Sequence, residues 1–208
     1  MVNELATLLT VGELHVHPRW GDASDNGQVS AFDASLILQA SVNKPVSLLE
    51  LCADVTDNGY VTAYDAAQVL KRVVDPAFVF PVEQNTQVKP MRTVAPELVW
   101  TPTDNGWALV ADDPTGILSG DLVIQLQNDV PVGVQAEGLA EYRQTGRTLN
   151  VAFARLESSV VELFQIDVAG GAPTVLSGQM NEGIALDPRS IRPLEMSLGQ
   201  NYPNPFNP

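Results

Sequence analysis

Two copies of one twelve-residue pattern carry the residues of this sequence that could do chemistry. The first copy runs from Asp22 to Asp33 and the second from Asp54 to Asp65, and both read D-x-[ST]-x-N-G-x-V-[ST]-A-[FY]-D. Side-chain oxygens fall at positions 1, 3, 5, 9 and 12 of each copy, and glycine occupies position 6. Calcium takes six to eight oxygen ligands in flexible geometry, which a short loop can supply from alternate residues. The pattern therefore predicts two calcium-binding loops.

Both loops have the layout of an EF-hand calcium loop, in which position 7 adds its backbone carbonyl and the glycine makes a sharp turn. Position 12 is Asp rather than Glu, and the residues at positions 3 and 5 are neutral. Fewer carboxylates weaken a site, towards the affinities of extracellular modules. Two Asx-rich turns without a metal are the alternative. Because the whole pattern is repeated, two bound calcium ions are the better interpretation.

Each loop runs into a segment with helical periodicity. Leu36, Ile37 and Ala40 share one apolar stripe after the first loop, and Val69 and Val73 do so after the second. This spacing predicts two short amphipathic helices. The residues before the first loop make a poor helix sequence, so each unit is predicted as a loop and an exit helix without an entering helix.

The pair of loop–helix repeats resembles a type I dockerin module over residues 21–83. The resemblance implies calcium ligands at positions 1, 3, 5, 7 and 12, with position 7 binding through its carbonyl. These ligands are Asp22, Ser24, Asn26, Gln28 and Asp33 in the first loop, and Asp54, Thr56, Asn58, Tyr60 and Asp65 in the second. It also implies a partner, a cohesin-type protein module in the same or another chain, bound through the exit helices. Positions 10 and 11 often set the specificity of that contact, and here they are Ala31, Phe32, Ala63 and Tyr64.

The remaining sequence changes its period. Short, partly alternating apolar segments separated by turn signals are typical of an antiparallel β-sandwich, and they span 98–100, 107–110, 122–126, 149–154 and 160–166. This region resembles a cohesin-like sandwich, a fold related to carbohydrate-binding modules, through residues 116–126, 149–154 and 180–183. The predicted fold class is α+β in two parts, a small α-helical dockerin with two calcium loops followed by an antiparallel β-sandwich.

The chain divides into five predicted segments. They are an N-terminal extension or the tail of a preceding domain (1–20), the dockerin-like domain (21–83), a linker (84–94), the sandwich (95–188) and a proline-rich linker (189–208). The last eleven residues, 198–208, resemble the lead-in to the C-terminal sorting domain of type IX secretion substrates. With no signal peptide at Met1, the chain is predicted to be the downstream part of a longer secreted precursor. His15 and His17 are predicted to be surface residues rather than a metal site.

Composition limits the classes of partner. The 208 residues carry a net charge of −14, which argues against nucleic acid or an anionic membrane as partner. This acidity suits the calcium-rich exterior or cell surface of a bacterium. Cys52 is the only cysteine, so an internal disulfide is impossible and a buried structural thiol is predicted. No apolar run reaches the length of a transmembrane segment.

No catalytic motif stands out in the sequence. The leading hypothesis is a non-catalytic calcium-dependent attachment module of a secreted protein, with polysaccharide degradation as one setting. The alternative is a carbohydrate-binding or adhesion module in which the sandwich binds polysaccharide, although Trp100 and Trp107 are expected in its core. A small hydrolase ranks last, because nothing singles out an acidic pair among Glu137, Glu141 and Glu162.

The repeat and the linker lead to two structural expectations. Approximate two-fold symmetry should place Phe32 and Tyr64 on near-equivalent faces towards a partner. The dockerin-like domain and the sandwich should pack as one body, with Phe78, Phe80 and Val82 buried between them, because a sandwich with an open edge needs covering.

Overall fold

A computed structural model describes residues 19–84, 95–156 and 160–193. We call 19–84 the helical unit, and 95–156 with 160–193 the β-unit. The predicted histidine pair, nearly all of the predicted linker and the segment 198–208 lie outside the described residues. No helix of the described part has the length and apolarity needed to cross a membrane.

The helical unit contains the two predicted exit helices. They are α1 (Ala31–Ser41) and α3 (Ala63–Val74), and two one-turn helices accompany them, α2 (Glu50–Ala53) and α4 (Pro81–Gln84). Both exit helices begin at position 10 of their loop, because positions 9 and 12 form a capping box that satisfies free backbone N–H groups of the first turn. The repeated sequence thus produces a repeated local structure.

The last residues of the helical unit pack against its first residues. The Phe80 ring lies against Gly21, where a Cβ atom would come within 2.7 Å of it. Phe78 packs edge-on to Phe80, and the side chains of Lys71 and Arg72 lie over the two rings. These contacts are made within the helical unit, whereas the sequence predicted that the aromatic residues would face the sandwich.

The β-unit consists of two five-stranded sheets. One has the order β10-β1-β2-β7-β4 and the other β5-β6-β3-β8-β9. All neighbouring pairs are antiparallel except β1 and β10. The strands are β1 (Leu98–Pro102), β2 (Gly106–Ala111), β3 (Ser119–Gln125), β4 (Gly133–Gln135), β5 (Leu139–Thr145), β6 (Thr148–Ala154), β7 (Glu162–Asp167), β8 (Thr174–Met180), β9 (Ile184–Ala185) and β10 (Arg192–Pro193). The predicted α+β fold class with its antiparallel β part is confirmed.

One apolar core lies between the two sheets. Trp100 and Phe164 from the first sheet and Phe153 from the second are fully buried in it. The rings of Phe153 and Phe164 approach to 5.9 Å between centroids, so side chains of the two sheets meet directly. Trp100 is therefore a core residue and offers no face to a sugar.

The outer face of the second sheet is covered by the helical unit. Helix α1 lies against β5 and β6, and α3 lies against β6 and β3. Along β6, Val151 and Phe153 belong to the core between the sheets, whereas Ala152 and Ala154 share a second apolar cluster with the helices. The end of β6 is therefore buried on both faces, and the two units pack together as the sequence predicted.

Polar contacts surround this interface. Lys44 forms an ion pair of 2.7 Å with Glu141 on β5, and Ser35 on α1 donates a hydrogen bond of 3.2 Å to the same carboxylate. Arg143 donates to the backbone carbonyl of Asn43. Apolar burial with a polar rim is the usual composition of a protein–protein interface.

A charge placed beneath the helices should break this packing. Ala152 is fully buried and pairs across the sheet with Asp121 and Glu141, so Ala152→Glu would bury a third carboxylate beside two others. We expect a loss of about 2–4 kcal/mol in the free energy of unfolding, measured with urea. The control Leu176→Glu adds the same charge to β8 of the same sheet, at a position that is 48% exposed. Equal losses in both variants would contradict the packed interface.

Candidate metal centre

The first loop folds around its own carboxylates. Asp22 at position 1 accepts hydrogen bonds from the backbone N–H groups of Asn26 at 3.1 Å and Gly27 at 2.8 Å. Asp33 at position 12 accepts from the N–H groups of Ser24 and Ser30, both at 2.9 Å. Positions 1 and 12, which are far apart in the loop sequence, thus hold its two ends closed.

The second loop repeats this network position by position. Asp54 accepts from the N–H groups of Asn58 at 3.2 Å and Gly59 at 2.8 Å. Asp65 accepts from the N–H groups of Thr56 at 3.1 Å and Thr62 at 2.9 Å. The two loops therefore share one backbone conformation, which the sequence repeat required.

The backbone explains why glycine stands at position 6. Gly27 and Gly59 have φ angles of 88° and 86°, and Asp25 and Asp57 at position 4 have 57° and 58°. Glycine adopts such angles without strain, and Asp tolerates the left-handed region better than most residues. The alternation turns the chain sharply enough to bring alternate side chains to the inside of the loop.

The oxygen atoms of the loops are spaced as in a calcium coordination shell. The Thr56 hydroxyl lies 3.3 Å from one Asp54 oxygen and 3.0 Å from one Asp65 oxygen, and the Ser24 hydroxyl lies 3.4 Å from an Asp22 oxygen. Neighbouring oxygens that share one ion at 2.3–2.6 Å are about 3–3.5 Å apart. The side-chain oxygens at positions 1 and 3 of both loops, together with position 12 of the second, are therefore close enough together to share one cation.

Neutral oxygens complete each loop. Among the described residues, no group of three or more Cys, His, Asp and Glu side chains has the arrangement of a metal site. Each loop instead combines two carboxylates with hydroxyl and amide oxygens, which hard cations accept. At position 7 the side chains of Gln28 and Tyr60 are exposed, in keeping with the predicted use of their carbonyl groups.

The second loop contains a buried carboxyl group whose negative charge needs compensation, either by protonation or by a nearby cation. Asp65 is fully buried. Burial, and after it the nearby charge of Glu182, raises the pKa of Asp65 well above its usual range. Because a bound cation favours the ionised form, calcium binding at this loop should release protons.

The predicted partner residues have unequal environments. Ala63 and Tyr64 are buried at the start of α3, and the N–H of Ala63 donates a hydrogen bond of 3.3 Å to Asp121 on β3. Ala31 is exposed, and Phe32 is 56% exposed. The face of the second repeat therefore lies against the β-unit while that of the first is open, so the expected near-equivalence of the two faces does not hold in this structure.

Three acidic residues of the β-unit contact the helical unit, and no pattern in the sequence indicated a role for them. Asp121 contacts the start of α3, Glu141 contacts α1 and Lys44, and Glu182 contacts the second loop through Thr56 and Thr62. Their signal in the sequence was weak, because isolated acidic residues on strands and turns are common on solvated surfaces.

Burial raises the pKa of Asp121 to about 6, although the hydrogen bond from the N–H of Ala63 opposes the shift. This carboxyl therefore takes up a proton more readily in the folded protein than in the unfolded chain. The interface between the two units thus contains a group that titrates near neutral pH.

Comparison with known proteins gives one family match. The family model described as the dockerin type I domain matches residues 20–74. This range includes both loops, α1 and α3, and it leaves the β-unit outside the match. Comparisons with curated proteins and with solved structures gave no match.

Removing one carboxylate should remove one calcium ion. Asp54→Asn takes away the charge at position 1 of the second loop, and we expect calorimetry to show two bound calcium ions for the parent protein and one for the variant. Asp57→Asn makes the same charge change at position 4, outside the predicted ligands, in a residue that tolerates the same backbone. The ligand assignment would be wrong if both variants bound two ions.

Replacing Asp121 should alter the dependence of stability on pH. The protonated Asp121 carboxyl stabilises the folded protein. This contribution is fully present below the pKa of Asp in the unfolded chain, near 4, and is lost as pH rises through the folded pKa of about 6. Asp121→Asn should therefore be more stable than the parent by up to roughly 2–3 kcal/mol at pH 7.5, with a smaller difference at pH 5. Urea unfolding in excess calcium measures both, and a difference independent of pH would contradict the prediction.

Proposed function

We propose that the chain is a non-catalytic, calcium-dependent protein attachment module of the dockerin type, and that its β-unit is the partner of its helical unit. The observation that carries this proposal is the position of α1 and α3 on the outer face of the second sheet. The second pair of predicted specificity residues, Ala63 and Tyr64, is buried at this contact. A dockerin-type unit is expected to bind a folded β-module through its exit helices.

Calcium would serve this function by fixing the starts of both helices. The predicted ligands are Asp22, Ser24, Asn26, Gln28 and Asp33 in the first loop, and Asp54, Thr56, Asn58, Tyr60 and Asp65 in the second. When bound, the ions supply positive charge that offsets the carboxylates. The position-12 residues also lie in the first turns of α1 and α3 and cap them, so we expect ordering of the loops and presentation of the helices to be one event.

The β-unit is suited to be the partner in the same chain. Ala152 and Ala154 present small side chains towards the helices, which allows a close approach between helix and sheet. Glu141 forms an ion pair with Lys44 and accepts a hydrogen bond from Ser35, so one acidic side chain contacts both α1 and the loop that follows it. Apolar area supplies the affinity of such a contact, and the polar rim fixes its register.

Carbohydrate binding through the β-unit receives less support. Trp100 is fully buried, and the indole N–H of Trp107 donates to the carbonyl of Gly170 within the β-unit. Neither ring is presented as an open stacking platform, which sugar recognition would need. From the resemblance to dockerins we also propose that the protein is secreted to the bacterial exterior or cell surface, and that it serves in polysaccharide degradation.

Cutting the chain between its units tests the proposal. A protease site placed between residues 84 and 95 would yield two pieces after cleavage, and we expect them to co-elute in size-exclusion chromatography with calcium and to separate with a chelator. Magnesium at the same concentration is the control, because its demand for octahedral geometry fits these loops poorly. Separation in calcium would contradict attachment within the chain.

A further inference from the structure

The turn between β8 and β9 carries an acidic side chain to the second calcium loop. The Glu182 carboxylate accepts a hydrogen bond from the hydroxyl of Thr62, at position 9. The same carboxylate oxygen lies 3.5 Å from the hydroxyl of Thr56, at position 3. Glu182 is thus placed by the β-unit beside two oxygen-bearing positions of a loop that belongs to the helical unit.

The β-unit holds this turn in an uncommon conformation. Asn181 and Glu182 have φ angles of 44° and 53°, which residues other than glycine adopt rarely. The buried Asn181 side chain accepts from the N–H groups of Leu118 at 2.8 Å and Ser119 at 3.1 Å, and it donates to the carbonyl of Gly116. The direction of Glu182 is therefore fixed by the fold of the β-unit.

The first loop has no equivalent contact among the described residues. Its hydroxyls at positions 3 and 9, Ser24 and Ser30, are bonded to Asp22 and Asp33 of the same loop. The two loops thus share sequence pattern and backbone but differ in their surroundings. Only the second has an added carboxylate from the β-unit.

We propose that Glu182 is a positioning residue of the second calcium site, and that it couples calcium binding at this loop to docking of the β-unit. The inference rests on the proposed calcium binding. Glu182 acts through the hydroxyls of Thr56 and Thr62, whose orientation it fixes, and its negative charge adds to that of Asp54 and Asp65.

Residues that hydrogen-bond to metal ligands without binding the metal themselves strongly affect metal affinity. Groups that hydrogen-bond the ligands orient them and tune their basicity, and their loss typically weakens metal binding by roughly 10–100-fold. Because coupling between two binding events is reciprocal, calcium at the second loop should also hold the β8–β9 turn in place. The first loop should bind calcium independently of this turn.

Calcium titration of the full chain by calorimetry tests the proposal. In Glu182→Gln we expect one of the two calcium dissociation constants to rise about tenfold and the other to stay unchanged. Glu182→Asp keeps the charge with a shorter side chain and should recover part of the loss. The control Glu162→Gln removes an exposed carboxylate from β7 in the first sheet, away from both loops and from the helical unit, and should leave both constants unchanged.

Hydrogen exchange supplies a second readout that does not depend on affinity. Calcium should slow amide exchange at residues 180–185 in the parent protein, and much less so in Glu182→Gln. Two unchanged constants in Glu182→Gln, or equal weakening of both sites, would overturn the role of Glu182. Absence of calcium binding by the parent protein would instead refute the proposed function, so the two failures are distinguishable.

Discussion

The structure of the helical unit depends on the carboxylate at position 12 of each loop. One oxygen of Asp33 accepts from the N–H of Ser24 inside the loop, and the other accepts from the N–H of Ser30 at the helix start. Asp65 makes the same two contacts with Thr56 and Thr62. A single side chain therefore closes the loop and caps the first turn of the helix, so the same interaction holds both in place.

The sequence repeat produces two similar loop–helix units whose surroundings differ. Both loops and both exit helices have matching starts, yet Tyr64 is buried while Phe32 is 56% exposed. The difference arises outside the repeats, because the β-unit contacts the start of α3, where Asp121 accepts a hydrogen bond from the N–H of Ala63. The two repeats therefore differ in the structure: the start of α3 is covered by the β-unit, and the start of α1 is open to solvent.

The local structure could be predicted from the sequence because its causes are local. Gly27 and Gly59 mark the turns, and Thr62 with Asp65 marks the start of α3, so loops and exit helices follow from short-range rules. The alternation along the later segments likewise indicated strands in two sheets.

The contacts between the two units could not be predicted in detail. Asp121 and Glu182 are far from the loops in sequence, and their roles follow from strand order and from the anchoring of one turn by Asn181. Phe80 was expected at the interface because apolar residues need cover, but Gly21 provides that cover within the helical unit. The identity of the covering surface is a property of the tertiary fold, which no local pattern encodes.

Covalent connection of the two units has a consequence for any competitor. Helices α1 and α3 meet the second sheet as parts of one chain, so their encounter is intramolecular and proceeds at an effective concentration that can reach the millimolar range. To displace the β-unit, a free protein offering a similar sheet must reach a concentration above that effective concentration divided by its affinity relative to that of the β-unit. A contact whose dissociation constant is well below that effective concentration is then occupied nearly all the time, and proteolysis between the units would allow the two pieces to exchange with other partners.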